Sequence, residues 1–174
     1  FMNKVWESRE NEGGVEFLYY SEDGEQGYPG AVKAVVRYEW TDECELRMTY
    51  TAESDAPTVI NLTNHAYFNL NGEGNGNILG HTLRMNCSEY LPTDDTAIPY
   101  GEPAAVAGTP MAFDTPHTIG ERINEPDPQL EIGKGYDHNW VLDEGVMAGG
   151  KGGLVRAGGL YCPLNGRSVE VWTT

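Results

Sequence analysis

Apolar and polar residues alternate with a period of two along much of this chain. In residues 32–40 the even positions are apolar and the odd positions are mostly charged, and the alternation resumes in residues 44–51 after three polar residues. A period of two places alternate side chains on opposite faces of a β-strand. The two runs therefore predict an antiparallel hairpin with one buried face.

Similar runs predict further strands in residues 15–20, 58–70, 78–86 and 167–173. No window sustains the i, i+3, i+4, i+7 apolar pattern of an amphipathic helix. Loops are predicted for residues 71–77, for residues 91–116 with their five prolines, and for a glycine-rich hairpin tip at residues 147–153. The predicted fold class is all-β.

Composition agrees with many turns between short strands, because 22 glycines and 10 prolines occur among 174 residues. This length suits a single domain, residues 1–174, with its own core. No apolar run approaches the ~18 residues that a membrane-spanning helix needs. The formal charge of −16 disfavours nucleic acid and anionic membrane surfaces as partners. Neutral small molecules remain possible partners.

The spacing of cysteines, histidines and glycines argues against disulfides, a metal site and a nucleotide-binding loop. Cys44, Cys87 and Cys162 are widely separated and form no CxxC pair, so we expect free thiols in a reducing compartment and a cytoplasmic location. The four histidines have no HxH or HxxxH spacing, so no metal site is predicted. The glycines at residues 72–80 and 149–153 lack the spacing and the following helix of nucleotide-binding loops.

One polar segment, NLTNHAYFNL at residues 61–70, could carry chemistry. As a strand, it would present Asn61, Thr63, His65, Tyr67 and Asn69 on one face. Hydrogen-bonding side chains beside an aromatic ring are what a sugar site requires, because they serve the hydroxyl groups and the apolar ring face. The pattern fits an exposed polar face with a surface histidine equally well.

A second candidate is residues 133–142, where a glycine-flanked turn delivers Tyr136, Asp137, His138 and Asn139 ahead of an apolar run. The carboxylate of Asp137 could accept hydrogen bonds from substrate hydroxyls. An aspartate that only caps the turn is the alternative. For the turn at residues 26–30 we favour a structural role.

Together these segments resemble the aldose 1-epimerase, or galactose mutarotase, family. The six matching segments occur in the family's order over nearly the whole chain: GYPG at 27–30, NLTNHAYFNL at 61–70, YLPTD at 90–94, GTPMAFD at 108–114, GYDHNWVL at 135–142 and NGRSVEVWTT at 165–174. The resemblance implies a large antiparallel β-sandwich, here incomplete.

The resemblance also implies ring-opening interconversion of the α and β anomers of hexoses such as galactose or glucose. By position, His65 matches the family's general acid, and an ordinary histidine pKa of ~6.5 suits proton transfer near neutrality. Tyr67 and Asp137 match positions that hold the sugar, and we interpret His138 as supporting Asp137. No metal or redox cofactor is implied, and a small hexose is the expected partner.

Two family residues have no counterpart in these 174 residues. The family has a second active-site histidine before the segment that opens this chain, and its general-base glutamate follows the strand that ends at Thr174. We therefore expect an internal fragment that lacks both ends and is inactive by itself.

Two other functions stay open. One is a noncatalytic sugar-binding module on the same sandwich. The other is a glycoside hydrolase, which needs two carboxylates roughly 5–10 Å apart. The sequence indicates only Asp137 as a candidate for one of these carboxylates. The sequence sets no preference among hexoses and no oligomeric state.

Overall fold

The computed structural model describes residue 1, residues 3–143 and residues 153–174. The chain divides into two compact units, Phe1–Ala66 and Tyr67–Thr174, which are described in turn. The single domain expected over residues 1–174 stays a prediction. The hairpin tip predicted for residues 147–153 lies outside the described residues except for Gly153.

The first unit contains one four-stranded antiparallel sheet with the strand order β1-β2-β3-β4. Its strands are β1 Glu7–Asn11, β2 Gly14–Ser21, β3 Val32–Trp40 and β4 Leu46–Ser54. Val36 at the centre of β3 pairs with Phe17 on one side and with Tyr50 on the other.

The predicted hairpin of residues 32–40 and 44–51 is confirmed by β3 and β4. Val32, Ala34 and Val36 are buried, as the alternation predicts for one face of β3. Burial ends toward the tip, where Trp40 is 65% exposed, and β4 is exposed along most of its length. The buried face therefore belongs mainly to β2 and β3.

The turn at residues 26–30 is fixed by contacts within the first unit. The Glu25 carboxylate accepts a hydrogen bond from Tyr19 Oη at 2.8 Å and pairs with Lys4 Nζ at 3.0 Å. These contacts, with that to Tyr19 the largest, lower the pKa of Glu25 to about 2. The Gly30 amide donates to Asp23 Oδ1 at 2.6 Å, and Gly30 has a φ of +84° that favours glycine. A structural role explains all of these contacts.

The second unit contains two antiparallel sheets, with the strand orders β11-β10-β5-β8 and β7-β6-β9. Their strands are β5 Thr82–Met85, β6 Glu89–Leu91, β7 Ala104–Ala105, β8 His117–Thr118, β9 Asn139–Val141, β10 Val155–Tyr161 and β11 Ser168–Thr173. A short helix, α1 Pro128–Gly133, precedes β9.

Strand predictions in the second unit agree with the structure in part. The run at 167–173 becomes β11, whereas the run at 78–86 contains the shorter strand β5. Helix α1 was not predicted, because six residues are too few to show a helical period. Its start nevertheless has a recognisable signal, since Asp127 caps the helix and Pro128 follows it.

The predicted loop at residues 91–116 contributes much of the core of the second unit. Val106, Met111 and Phe113 are between 0% and 2% exposed, and β7 pairs there with β6. Met111 and Val106 form a cluster with Tyr90 and Leu130. Apolar side chains of this segment are thus buried although most of the segment lies outside regular strands.

The cysteines Cys44, Cys87 and Cys162 are free thiols, as expected. Burial raises the pKa of Cys87 to about 11. The cytoplasmic location inferred from the thiols stays a prediction. Within the described residues, no helix has both the length and the hydropathy needed to cross a bilayer.

Candidate active site

Residues 57–69 form no regular strand, so the strand predicted for residues 58–70 is wrong. Amide side chains here bond the nearby backbone instead of leaving it to a strand ladder. Asn64 Oδ1 accepts from the Ala66 amide at 3.0 Å, and Asn69 Oδ1 accepts from the Asn71 amide at 3.0 Å. Such local bonds compete with strand pairing. The prediction that alternate residues of this segment share one face of a sheet is therefore wrong as well.

His65 lies near the end of the first unit, with an exposed side chain. The residue before it is tied to the sheet, because Asn64 Nδ2 donates to Tyr38 Oη on β3 at 3.4 Å. The same Asn64 side chain also binds the Ala66 amide on the other side of His65. One asparagine thus shapes the backbone that presents this histidine.

Tyr67 opens the second unit, and its side chain is 89% exposed. Most of its ring surface can therefore contact a ligand, and apolar aromatic surface of this kind suits the apolar face of a sugar ring. His65 thus belongs to the first unit, whereas Tyr67 and Asp137 belong to different segments of the second.

Asp137 follows a sharp turn at the end of α1. The helix ends at Gly133, Lys134 adopts a left-handed conformation with a φ of +52°, and Gly135 has a φ of +125°. Left-handed conformations of this kind commonly end helices and redirect the chain. The turn leaves the Asp137 carboxylate exposed, just ahead of β9.

The residues flanking Asp137 hold it in place by packing. Tyr136 and Trp140 pack against the core cluster of the second unit. Trp140 Nε1 donates to the Met111 carbonyl at 3.0 Å, and Tyr136 Oη donates to the Pro110 carbonyl at 3.2 Å. The segment thus packs its half-buried aromatic rings against the core and presents its carboxylate to solvent.

His138 adds a second support to Asp137. Its Nδ1 accepts from the Asp137 amide at 3.3 Å, and its Nε2 lies 3.2 Å from Gln129 Oε1. Both contacts form when the ring is neutral, with Nδ1 unprotonated and Nε2 protonated. Burial lowers the pKa of His138, which favours this neutral form, while Asp137 and Asp127 oppose the shift. His138 therefore fixes the backbone of Asp137.

Sequence reasoning missed Gln129 and Thr93, which complete this support. Gln129 Oε1 accepts from the Thr93 amide at 2.8 Å, and Gln129 Nε2 donates to the Thr93 carbonyl at 3.0 Å. The glutamine thus links the YLPTD segment to His138. The helix-start signal at Asp127 and Pro128 could have placed Gln129 on a helix, but no pattern marks its partners.

Two surface depressions are described in the first unit. One of about 430 Å³ is lined by residues that include Tyr20, Lys33 and Glu53. None of His65, Tyr67 and Asp137 lines it. Among the described residues, no group of three or more His, Cys, Asp or Glu side chains is placed to hold a metal ion. The site residues present proton-transfer and hydrogen-bonding groups.

Comparison with known proteins places these segments in context. A model of the aldose 1-epimerase family matches residues 1–174. The galactose mutarotase of Sus scrofa is 38% identical over 174 residues, which are 100% of this chain and 47% of that protein. The aldose 1-epimerase of Escherichia coli (strain K12) is 38% identical over 143 residues, which are 82% of this chain and 41% of that protein. The chain spans about half the length of the curated relatives it matches.

Solved structures match as well. The galactose 1-epimerase from Lactobacillus acidophilus NCFM matches with a TM-score of 0.76 and 31% identity, covering 90% of this chain and 45% of its own. An aldose epimerase homologue from C. elegans has a TM-score of 0.73 at 24% identity, covering 96% of this chain and 48% of its own, and supports the fold alone. The expected mutarotase-like fold, mostly β with antiparallel sheets and here incomplete, is confirmed.

Proposed function

The chain belongs to the aldose 1-epimerase family, and on this premise we propose that the whole protein interconverts the α and β anomers of a hexose such as galactose or glucose. The observation that carries the proposal is the family match over residues 1–174. The named activities of the relatives, galactose mutarotase and aldose 1-epimerase, have this chemistry in common.

The proposed reaction is a proton exchange at two oxygens of the sugar. A general acid protonates the ring oxygen while a base removes the proton of the anomeric hydroxyl, and the C1–O5 bond breaks to give the open aldehyde. Rotation about C1–C2 presents the other carbonyl face, and the reverse transfers close the ring. Atoms and charge balance over the cycle without any redox step.

We assign the acid to His65 and the sugar contacts to Tyr67 and Asp137. The exposed position of His65 supports its role, because an acid must reach the substrate. Asp137 has an exposed carboxylate on a backbone held by His138 and by the packed ring of Trp140, and such preorganisation favours binding. The large exposed surface of Tyr67 supports contact with a sugar ring.

We place the general base outside residues 1–174. The base must be a carboxylate that faces the anomeric hydroxyl of the sugar. No acidic residue of this chain lies in a sequence segment that matches the one around the family's glutamate. The chain covers 47% of the length of the Sus scrofa relative, which leaves room for such a residue elsewhere in the whole protein.

Polarimetry of freshly dissolved α-D-galactose tests the proposal. We expect the whole protein to accelerate mutarotation, the His65→Ala variant to lose nearly all of this activity, and the isolated 174-residue chain to have none. His117→Ala is the matched control, since this histidine lies on β8 and contacts Thr115 and Glu121.

Other results would overturn parts of the proposal. Galactose binding by the whole protein without acceleration would indicate a sugar-binding module. Release of nitrophenol from a nitrophenyl glycoside would indicate a hydrolase. Acceleration by the isolated chain would show that the base lies within it.

A further inference from the structure

The backbone of Leu70, the last residue of the NLTNHAYFNL segment, is held by side chains from distant parts of the second unit. Its amide donates to His81 Nε2 at 3.1 Å. Its carbonyl accepts from Asn165 Nδ2 at 2.9 Å and from Arg167 Nη1 at 3.2 Å. We call Leu70 and these three side chains the Leu70 anchor.

The turn that supplies two of these donors is itself fixed. Asn165 Oδ1 accepts from the Arg167 amide at 3.0 Å. The backbones of Cys162 and Arg167 bond across the turn at 2.9 Å, and the Gly166 amide donates to the Cys162 carbonyl at 2.9 Å. The backbone that carries Asn165 and Arg167 is therefore fixed by bonds that do not involve Leu70.

The acceptor on the other side is equally fixed. His81 is 1% exposed, its amide donates to the Ile78 carbonyl at 2.9 Å, and its carbonyl accepts from the Ile119 amide at 2.9 Å. A ring nitrogen that accepts a hydrogen bond carries no proton. His81 therefore acts as a buried acceptor for the backbone of the candidate site segment.

The next residue is secured as well. Asn71 Oδ1 accepts from Cys162 Sγ at 3.0 Å, and Cys162 is 1% exposed. Leu70 and Asn71 are thus bound to the turn between β10 and β11, and Leu70 is also bound to His81, the residue before β5. The preceding residues 57–69 form no strand and so lack a ladder of backbone hydrogen bonds to fix their course.

We propose that His81, Asn165 and Arg167 are positioning residues for the reaction, which fix the segment carrying Tyr67 by clamping the peptide groups of Leu70. Tyr67 lies three residues before the anchor, in the same unit. A small displacement of a group that positions the substrate costs a large factor in rate. The inference rests on the proposed function, because the anchored residues gain their role from it.

Asn165→Asp in the whole protein tests the donor side. Aspartate keeps the oxygen that accepts from the Arg167 amide but replaces the donor to the Leu70 carbonyl with a repelling oxygen. Because residue 165 is exposed, we expect the melting temperature to stay unchanged while kcat falls about fivefold. Leu164→Asp is the control for charge, since Leu164 is adjacent and 83% exposed.

Two substitutions at His81 test the acceptor side. Glutamine can place an oxygen near the position of Nε2, whereas leucine cannot accept a hydrogen bond. We expect His81→Leu to lower kcat about 50-fold and His81→Gln to restore it to within about threefold of the wild type. A merely space-filling role for His81 would make the leucine variant the better of the two.

Hydrogen–deuterium exchange of the peptide covering residues 65–72 provides a readout that does not depend on activity. The anchor predicts faster exchange in Asn165→Asp and His81→Leu than in the wild type, Leu164→Asp or His81→Gln. Unchanged exchange, or faster exchange with unchanged kcat, would overturn the inference. If the wild-type protein itself fails to accelerate mutarotation, the proposed function fails, and exchange alone then decides whether the anchor exists.

Discussion

Two segments that match the same family differ in how their backbones are held. Residues 61–70 are irregular and exposed over most of their length, and hydrogen bonds from side chains fix them. Residues 135–142 pack the half-buried Tyr136 and Trp140 against a core cluster and join the ladder of β6 through β9. The comparison shows that packing can fix one segment while side-chain hydrogen bonds fix another.

The largest expected effect is on the free energy of unfolding, when a packed ring of one segment is removed and an exposed ring of the other is removed for comparison. Trp140→Ala should lower the free energy of unfolding by about 3 kcal/mol, because it removes a large packed ring and leaves the Met111 carbonyl without its donor. Phe68→Ala is the matched control in the other segment, where the ring is 46% exposed, and should cost less than about 1 kcal/mol.

Urea unfolding followed by circular dichroism measures both values, since it does not depend on the tryptophan that is removed. Equal losses for the two variants would contradict the contrast between a packed segment and an exposed one.

A smaller effect is expected at Gln129, which supports Asp137 through His138. Gln129→Ala removes two hydrogen bonds to Thr93 and the contact with His138, so we expect a loss of about 2 kcal/mol in unfolding free energy. The KM for galactose should rise, because the support of Asp137 is loosened. Glu131→Ala, an exposed position on the same helix, is the control and should leave both values nearly unchanged.

The same two assays, urea unfolding and initial mutarotation rates at varied galactose, check this prediction. A Gln129→Ala variant with wild-type stability and KM would show that Asp137 does not depend on this support.

The smallest expected effect is the pH dependence contributed by His138. Burial lowers its pKa in the folded protein below the ordinary value of 6.5, so the unfolded chain binds the proton more readily. Its contribution is therefore unfavourable to the folded state as pH falls through 6.5 and absent well above that value. Melting temperatures of the wild type and of His138→Gln should draw apart between pH 8 and pH 5, with the wild type losing more.

Parallel melting curves for the two proteins across this pH range would contradict a depressed pKa at His138. The comparison with the glutamine variant isolates the contribution of His138 from that of other groups. Glu25, with a pKa of about 2, loses its contribution only below this pH range.

Much of the fold could be predicted from the sequence, because alternation over β3 and β11 coincides with strands that have paired neighbours. The same pattern failed at residues 58–70, where asparagine side chains bond the backbone locally. Alternation describes a side-chain period and does not supply a partner strand. Helix α1 and the buried loop residue Met111 were missed because neither shows a periodic pattern.

The residues of the candidate site could be predicted from short motifs. The residues that hydrogen-bond to the site segments and hold them in place could not. Asp137 stands out beside glycines, whereas Gln129 and His81 contact the site segments at separations of 9 and 11 residues that match no helix or strand period. Such contacts depend on tertiary folding, for which a single sequence offers no spacing rule.

Steady-state polarimetry of His65→Gln and Asp137→Asn in the whole protein tests the central claim most directly, that His65 transfers the proton and Asp137 binds the sugar. We predict that His65→Gln lowers kcat about 1000-fold with little change in KM. Asp137→Asn should instead raise KM about tenfold, with kcat nearly unchanged, since it weakens binding of substrate and transition state alike. Wild-type kcat in His65→Gln, or a loss confined to kcat in Asp137→Asn, would contradict this division.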